Sequence, residues 1–235
     1  MREQRLEILS NGLTIQGVLR TPEVDSWPLV VLCHGFLSHK DSSKYEQLAG
    51  VFAGEGFASL RFDFRGCGES GGLLQTSTVS GRWSDLRSVI DQVETFQRFN
   101  GRFGLLGSSL GGYLALLEAS RNPRVRCVVA WSTPSQLDEL GERLAEVAPA
   151  SMSRAFQEDL SQLELLSRLR TVGRVLIIHG QKDLEVPPEH ASKLFDAAQE
   201  PKALHVLEDG DHRFSTREAR EQAVRLSLDW FQRFL

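Results

Sequence analysis

The sequence predicts an α/β protein: a mostly parallel, twisted sheet of eight strands with an antiparallel N-terminal hairpin, helices on both faces and a small helical cap. Three observations carry this prediction. The first residues alternate between polar and apolar side chains, as half-buried antiparallel strands do. Short apolar runs such as "PLVVLC" and "RVLIIHG" then alternate with segments of helical periodicity, which is typical of parallel strands joined by helices. With 235 residues, 41% of them hydrophobic, the chain is long enough to bury such a core.

The N-terminal elements follow from local patterns. Two alternating strands, "RLEIL" and "LTIQGVL", flank "SNG", whose Asn-Gly pair is a strong hairpin signal. The runs "PLVVLCHG" and "FASLRFDF" indicate strands on either side of a helix in "SSKYEQLAGVFAGEG". The glycine-rich stretch at 66–81 has the composition of a loop.

The remaining elements continue the same alternation. A helix is expected from Ser84, a plausible N-cap, because the apolar residues that follow share one helical face. Strands in "RFGLLG" and "RVRCVVAWS" flank a helix in "LGGYLALLEAS". Near the C-terminus we expect a strand in "RVLIIHG", a helix from Pro188 to about Ala198, a strand in "ALHVL" and a helix from Thr216 to Phe234.

One segment departs from this rhythm. From about Pro134 to Arg170 the sequence is helical and amphipathic, and no strand pattern interrupts it. We interpret it as a cap insertion at about 134–170, laid over one end of the sheet within a single domain that spans residues 1–235. Because an amphipathic cap can cover a pocket or pair two subunits, a homodimer is one expectation.

Composition argues against several classes of function. The net charge is −4 and no cluster of Lys and Arg stands out, so no nucleic-acid partner is expected. The apolar runs are too short to span a bilayer and the N-terminus lacks the apolar core of a secretory signal, which predicts a cytoplasmic protein without a membrane partner. Cys33, Cys67 and Cys127 are odd in number and far apart, and the histidines lack ligand spacing, so we expect neither a disulfide nor a metal.

The stretch "GLLGSSLGG" places two serines between a strand and a helix. Ser109 is the centre of a Gly-x-Ser-x-Gly pattern formed with Gly107 and Gly111. A nucleophile on a sharp strand-to-helix turn has a strained backbone, and the residues two before and two after it must be small. Centred on Ser108, the flanking residues would be bulky leucines. Ser109 is therefore the candidate nucleophile.

A serine hydroxyl needs a base, and the base needs an acid to orient it. Asp183 follows the strand "RVLIIHG" and His212 follows the strand "ALHVL", which puts both at carboxyl ends of strands. The order Ser, Asp, His is the order that this kind of sheet uses. The rival acids are Asp209, Asp211 and Glu185, of which Asp211 is adjacent to His212 and so poorly placed to face it.

An oxyanion also needs hydrogen-bond donors. The amide of Leu110 follows the nucleophile, and the second donor is expected from the loop "CHGFLSHK", where Gly35 permits a close approach and Phe36 supplies an N–H. His34, which begins this loop, is interpreted as its support rather than as the base.

Together these motifs resemble the α/β-hydrolase superfamily. They are "HGF" at 34–36, "FDFRGCGES" at 62–70, "GSSLGG" at 107–112, "HGQKDLEVP" at 179–187 and "GDH" at 210–212. The segment around the first two looks like small bacterial carboxylesterases of the cinnamoyl/feruloyl esterase type. The resemblance implies hydrolysis of a carboxylic ester without a cofactor. It carries the roles of nucleophile, acid, base and oxyanion donors onto the residues already named.

The pattern "GCGESG" at 66–71 also fits the Gly-x-Gly-x-x-Gly of a dinucleotide site. Such a site needs a helix whose N-terminus holds the pyrophosphate, whereas the loop-like "LLQTSTVSG" follows here. No nucleotide cofactor is therefore expected.

The leading hypothesis is a serine esterase that acts on a small-molecule ester with a small or medium acyl group. Trp131, Met152 and Phe156 are candidate pocket residues, with ordinary core or cap packing as the alternative for each. A thioesterase, including one for acyl-CoA, or a small peptidase could use the same triad. A binding protein that has lost turnover is disfavoured because it would not need all three residues.

Overall fold

The computed structural model describes residues 1–137, 159 and 164–235. The described residues form eight strands that belong to one sheet. In chain order the strands are β1 (Arg2–Ser10), β2 (Leu13–Thr21), β3 (Trp27–Cys33), β4 (Ala58–Phe62), β5 (Phe99–Ser108), β6 (Val125–Trp131), β7 (Val175–Gly180) and β8 (Lys202–Leu207).

The strand order across the sheet is β1-β2-β4-β3-β5-β6-β7-β8. Strand β2 pairs antiparallel with both β1 and β4, and the other neighbouring pairs are parallel. The carboxyl ends of β3 to β8 therefore lie along one edge of the sheet. This order, with its antiparallel N-terminal hairpin, confirms the predicted fold class.

Six α-helices are described in this part of the chain. They are α1 (Ser43–Gly54), α2 (Val79–Val93), α3 (Leu110–Ala119), α4 (Leu165–Leu169), α5 (Glu189–Ala197) and α6 (Arg217–Phe234). Two hydrophobic clusters show how they pack. One cluster includes buried residues of α2, α3, α4 and α5, and the other includes those of α1 and α6. Apolar side chains thus cover both faces of the sheet, as parallel strands require.

The turn between β1 and β2 agrees with the predicted hairpin. Asn11 and Gly12 both have positive φ, at 48° and 79°. Two consecutive positive φ values match the twist of the flanking strands, and Asn-Gly adopts them at low cost.

The predicted start of helix α2 at Ser84 is wrong. The helix begins at Val79, and Thr78 is its N-cap: the Thr78 side chain accepts a hydrogen bond from the amide of Gly81 at 3.0 Å. Gly81 made this segment look like a loop, although a capping side chain offsets the cost of glycine in a first turn. The Ser84 hydroxyl instead donates back to the carbonyl of Ser80 at 3.1 Å.

The predicted cap at 134–170 lies largely outside the described residues. Its last part forms helix α4, whose Leu165 and Leu169 are buried in the core. Asp159 accepts a hydrogen bond of 2.6 Å from the amide of Ser80, which places its carboxylate at the N-terminus of helix α2.

The corrected helix start gives a stability prediction. Thr78→Ala removes the cap and should lower the free energy of unfolding by about 1 kcal/mol. Ser84→Ala removes only a side-chain bond within the helix and should change it by less than about 0.5 kcal/mol. Urea unfolding of the two variants beside the wild type measures both. A larger loss for Ser84→Ala than for Thr78→Ala would contradict the assigned start.

Candidate active site

Ser109 lies in the turn between strand β5 and helix α3. Its backbone has φ 55° and ψ −124°, a region that costs a non-glycine residue of the order of 1–3 kcal/mol. The amide of Ser109 donates to the carbonyl of Trp131 at 2.9 Å, which ties the turn to the end of β6. The strained turn that the motif predicts is therefore present at Ser109.

Three glycines make this turn possible. A Cβ on Gly107 would lie 2.2 Å from the carbonyl oxygen of Gly111, and a Cβ on Gly111 would lie 2.2 Å from that of Cys33. A Cβ on Gly112 would lie 1.9 Å from the hydroxyl of Thr133. None of these contacts leaves room for a Cβ. Two of the three are with backbone atoms, which cannot move aside as the end of a flexible side chain can. The strand, the helix and the neighbouring β3 are thus packed backbone to backbone.

The two adjacent serines have different surroundings. The ammonium group of Lys44 donates to the Ser108 hydroxyl at 2.9 Å, so Ser108 is engaged on the α1 side of the sheet. Ser108 is 3% exposed and Ser109 is 8% exposed. This arrangement favours Ser109 over Ser108 as the residue presented to a substrate.

Asp183 and His212 are brought together by the loops that follow β7 and β8. Nδ1 of His212 lies 2.9 Å from Oδ2 and 3.1 Å from Oδ1 of Asp183, and the Asp183 side chain is fully buried. These two loops and the turn at Ser109 lie at the same carboxyl edge of the sheet. The approach of His212 to Ser109 stays a prediction.

Other hydrogen bonds fix the Asp183 carboxylate. Oδ1 accepts from the amides of Glu185 at 2.9 Å and Val186 at 2.8 Å, and Oδ2 lies 3.2 Å from Nε2 of His179. Burial alone would raise the pKa of Asp183, but the hydrogen bonds from His179 and His212 bring that pKa well below its usual range. An ionised carboxylate only accepts hydrogen bonds, so Nδ1 of His212 carries a proton in this contact.

The rival acids have other contacts. Asp209 forms an exposed ion pair with Lys182 at 2.6 Å, and the Asp211 carboxylate accepts from backbone amides of its own loop. Glu185 is the nearest rival: its Oε2 lies 3.7 Å from Nε2 of His212, on the side of the ring opposite Asp183. Glu185 therefore does not compete for Nδ1.

The loop after β3 runs close to the turn at Ser109. A Cβ on Gly35 would lie 3.4 Å from the Cβ of Ser109, so the backbone here approaches the predicted nucleophile closely. Nε2 of His34 accepts a hydrogen bond from the amide of Phe64 at 2.9 Å, and Nδ1 of His34 donates to the carbonyl of Gly35 at 2.7 Å. His34 thus supports this loop, as its position in the sequence predicted.

The two amides predicted to bind the oxyanion border this turn. Leu110 is the first residue of helix α3, so its amide belongs to the first-turn donors that have no intrahelical acceptor. Phe36 follows Gly35 and is buried. In a trans peptide the carbonyl and the next N–H point in opposite directions, so the bond from His34 to the Gly35 carbonyl also orients the amide of Phe36.

Burial sets the charge state of His34. It lowers the pKa of His34 to about 3, and the nearby charge of Arg82 adds to this effect. His34 is therefore neutral throughout the physiological range, which preserves both of its hydrogen bonds.

The glycine-rich loop after β4 surrounds a carboxylate of this chain. A Cβ on Gly68 would lie 2.1 Å from Oδ2 of Asp63, and the same oxygen accepts from the amide of Glu69 at 3.0 Å. Lys40 donates to Asp63 as well, at 2.9 Å. These donors resemble those that hold a phosphate, but the buried carboxylate of Asp63 already occupies them.

The prediction that Trp131 lines the pocket is wrong. Trp131 is fully buried, its indole N–H donates to the Ser227 hydroxyl at 3.0 Å, and its ring packs edge-on against Phe214. Side chains alternate between the faces of a strand, and this parity directs Trp131 into the core beneath helix α6. Met152 and Phe156 lie outside the described residues.

Sequence reasoning missed three side chains around the site. His179 contacts the Asp183 carboxylate, Lys44 contacts Ser108, and Arg82 contacts the loop that contains Phe36. The spacing of His179 and Asp183 by four residues around a strand end was an available signal. The contacts of Lys44 and Arg82 join distant parts of the chain, so no local sequence pattern predicts them.

The remaining sequence expectations can be compared with the described residues. Cys33, Cys67 and Cys127 are free and buried, and burial raises the pKa of the Cys127 thiol to about 12. Over residues 1–137, 159 and 164–235, no cluster of three or more His, Cys, Asp or Glu side chains could hold a metal ion. In the same ranges, no helix combines the length and apolar character needed to cross a membrane.

Comparison with known proteins identifies a family and a shared fold. A family model described as "Serine aminopeptidase, S33" matches residues 26–169, from the start of β3 to the end of α4. Among curated proteins, 2,6-dihydropseudooxynicotine hydrolase of Paenarthrobacter nicotinovorans is 28% identical over 222 residues, which cover 89% of this chain and 59% of that protein. The chain spans about half the length of the curated relatives it matches.

Solved structures share the fold along nearly the whole chain. Est1E of Butyrivibrio proteoclasticus, determined with ferulic acid bound, has a TM-score of 0.84 at 18% identity and covers 97% of this chain and 99% of its own. The esterase domain of a Rhodothermus marinus protein has a TM-score of 0.79 at 24% identity, with coverages of 100% and 99%. The resemblance to α/β-hydrolases is thereby confirmed at the level of the fold.

Lys44 gives a prediction about pH and stability. Burial lowers the pKa of Lys44 to about 8, and the nearby charges of Arg220 and Arg213 contribute. Because this pKa is lower in the folded than in the unfolded chain, the unfolded chain binds more protons between about pH 8 and 10.4. The wild type should therefore gain stability relative to Lys44→Met as the pH rises through that window.

The gain is expected to be on the order of 1 kcal/mol, or about 2–4 °C in melting temperature for a chain of this size. Melting curves of wild type and Lys44→Met at pH 7, 8 and 9.5 measure the difference between the two proteins, which cancels the titration of groups common to both. If the difference in melting temperature between the two proteins does not change with pH, the lowered pKa of Lys44 is contradicted.

Proposed function

Because this chain belongs to the serine aminopeptidase S33 family of α/β-hydrolases, we propose that it hydrolyses carboxylic esters of small or medium acyl groups through Ser109, His212 and Asp183. The observation that carries the proposal is the pair of short contacts between Nδ1 of His212 and the buried Asp183 carboxylate. It is supported by the strained backbone of Ser109, which is costly to maintain in a turn that serves only to connect two elements.

The reaction begins with attack of the Ser109 hydroxyl oxygen on the ester carbonyl carbon. The hydroxyl proton moves to Nε2 of His212, and the electron pair of the carbonyl double bond moves to the carbonyl oxygen. The carboxylate of Asp183 holds the imidazole in the tautomer that accepts this proton and stabilises the imidazolium that forms.

The acyl group then passes through a covalent intermediate. The bond to the alcohol oxygen breaks, and His212 returns the proton to that oxygen, leaving an ester on Ser109. Water attacks this ester with His212 again taking a proton, and the acid leaves as Ser109 recovers its hydroxyl. The two steps together consume one water molecule and need no redox cofactor.

The oxyanion of each tetrahedral intermediate is assigned to the amides of Phe36 and Leu110. A preorganised donor strengthens its hydrogen bond as charge develops on the oxygen, and loss of one donor costs about 10²–10³ in turnover. His34 fixes the loop before Phe36 by donating a hydrogen bond to the Gly35 carbonyl and accepting one from the Phe64 amide, so this donor is oriented before the substrate arrives.

A peptidase is the second candidate. The family description names a serine aminopeptidase, and the Glu185 carboxylate lies 3.7 Å from Nε2 of His212. A carboxylate at this place could bind the terminal ammonium group of a peptide substrate. An ester substrate without an amine has no group for this carboxylate to bind. Thioesterases remain an alternative because the same triad does not fix the leaving group.

Substitution of the two serines tests the nucleophile. Ser109→Ala should lower kcat/KM for p-nitrophenyl butyrate by at least about 10⁴-fold, because the covalent route is lost. Ser108→Ala is the matched control and should stay within about tenfold of the wild type, since the hydroxyl of Ser108 contacts Lys44. Retained turnover in Ser109→Ala, or an equal loss in both variants, would contradict the proposal.

A substrate panel tests the leaving group. Butyryl compounds that differ only in leaving group, a p-nitrophenyl ester, a thiophenyl ester and a p-nitroanilide, are compared with leucine p-nitroanilide by kcat/KM. The ester proposal expects the ester to be the best substrate, with the anilide at least about 10²-fold poorer. Preference for leucine p-nitroanilide would favour the aminopeptidase candidate and contradict the ester assignment.

A further inference from the structure

We propose that Arg82, on helix α2, is a positioning residue for the oxyanion loop, defined as residues 34–37, and that its buried charge stabilises the oxyanion. This inference rests on the proposed function, because it concerns the oxyanion of that reaction. It adds a role for a side chain that lies outside the triad and its two amide donors.

The guanidinium of Arg82 contacts the oxyanion loop directly. Arg82 is fully buried, and its Nη1 donates to the carbonyl of Phe36 at 3.1 Å. The guanidinium also lies over the Phe36 ring, 4.6 Å from the ring centroid. Arg82 therefore holds Phe36 at both its backbone and its side chain.

The rest of the guanidinium is held in place by neutral groups. Nε donates to the hydroxyl of Ser77 at 2.8 Å, and Nη2 lies 3.3 Å from Sγ of Cys67. Three contacts in the plane of the guanidinium leave it little freedom to turn. The Phe36 carbonyl is thus fixed to a rigid support rather than to a mobile side chain.

Arg82 and His34 fix two successive peptide groups. His34 holds the carbonyl of Gly35, and Arg82 holds the carbonyl of Phe36. The N–H of Phe36 belongs to the first of these peptide groups and is joined to the second through the Cα of Phe36. Loss of the Arg82 contact would free the second peptide group and leave the His34 contact alone to hold the Phe36 amide toward the oxyanion.

The charge of Arg82 has no direct counter-ion in the described part of the chain. No carboxylate there forms an ion pair with it, and Asp85, on the next turn of α2, is paired with Arg65 at 2.6 Å. A guanidinium buried without a carboxylate partner is costly, and it stays protonated. Its field acts in a medium of low dielectric constant and favours negative charge nearby.

That field should distinguish the transition state from the ground state. The ester carbonyl is neutral when it binds, whereas the tetrahedral intermediate carries a full negative charge on oxygen. A cation behind the oxyanion loop therefore lowers the barrier to turnover more than it improves substrate binding. A side chain that merely packed helix α2 would not produce this difference.

The test compares Arg82→Gln and Arg82→Lys with the wild type. Substrate turnover is measured with p-nitrophenyl butyrate. Binding is measured with an alkyl trifluoromethyl ketone. The Ser109 oxygen adds to the carbonyl carbon of this ketone, the serine proton moves to His212, and the ketone oxygen becomes an oxyanion. Arg82→Gln should lower kcat about 10- to 100-fold, less than loss of a direct donor, with KM within about threefold. Its affinity for the ketone should fall by a similar factor.

Arg82→Lys keeps the charge without the forked contacts, so its losses should be intermediate. If Arg82→Gln does not fold, the kcat and ketone affinity of Arg82→Lys test the role of Arg82. Arg61→Gln is the matched control: Arg61 is also a buried arginine, but it pairs with Glu3 at 2.9 Å, so this variant should lose stability without a specific loss of ketone affinity. Circular dichroism gives the folded fraction to which each rate is normalised.

The outcomes separate this proposal from the proposed function. If the ketone inhibits the wild type and the folded Arg82 variants bind it as tightly as the wild type, the role of Arg82 is overturned while the esterase assignment stands. Equal losses of ketone affinity in Arg82→Gln and Arg61→Gln would likewise overturn it. If the ketone does not inhibit the wild type and Ser109→Ala retains turnover, the proposed function itself fails.

Discussion

The strained backbone at Ser109 is the constraint on which the rest of the site depends. A serine with φ 55° is held there because the turn is clamped between helix α3 and strand β3, through glycines that allow backbone to touch backbone. Relaxing the turn would require strand, helix and neighbouring strand to separate together. The core on both faces of the sheet opposes this, so packing energy maintains a local conformation that is unfavourable by itself.

The parallel sheet brings further functional groups to the edge at which Ser109 lies. Because its parallel strands end along one edge, the loops after β3, β7 and β8 lie at the same edge as the turn at Ser109, and each loop brings one group already fixed by hydrogen bonds. The Asp183 carboxylate has four partners and stays ionised, and neutral His34 holds the oxyanion loop. A buried arginine, Arg82, and a half-buried lysine, Lys44, contact the oxyanion loop and Ser108 respectively. Preorganised dipoles and charges of this kind need little rearrangement when charge develops in a reaction.

Sequence patterns predicted what short-range physics determines. The sheet, the hairpin, the turn at Ser109 and the placing of Asp183 and His212 at strand ends all follow from periodicity and turn chemistry. The start of helix α2 was mispredicted because a capping threonine outweighed a glycine that looked like a loop residue. Trp131 was misassigned because its direction depends on strand parity and on helix α6, which lies about a hundred residues later in the chain. Arg82 was not singled out because its contacts arise only when the helix packs.

Ser109 is tested as the nucleophile by identifying the residue that a fluorophosphonate modifies. The probe is attacked by an activated serine and remains bound to its oxygen, so peptide mapping by mass spectrometry locates the nucleophile without any assumption about the natural substrate. We expect one adduct, on Ser109, formed rapidly in the wild type and at least about 10²-fold more slowly in Asp183→Asn, where the imidazole loses its orienting charge. An adduct on Ser108, or no adduct on the folded wild-type protein, would contradict this expectation.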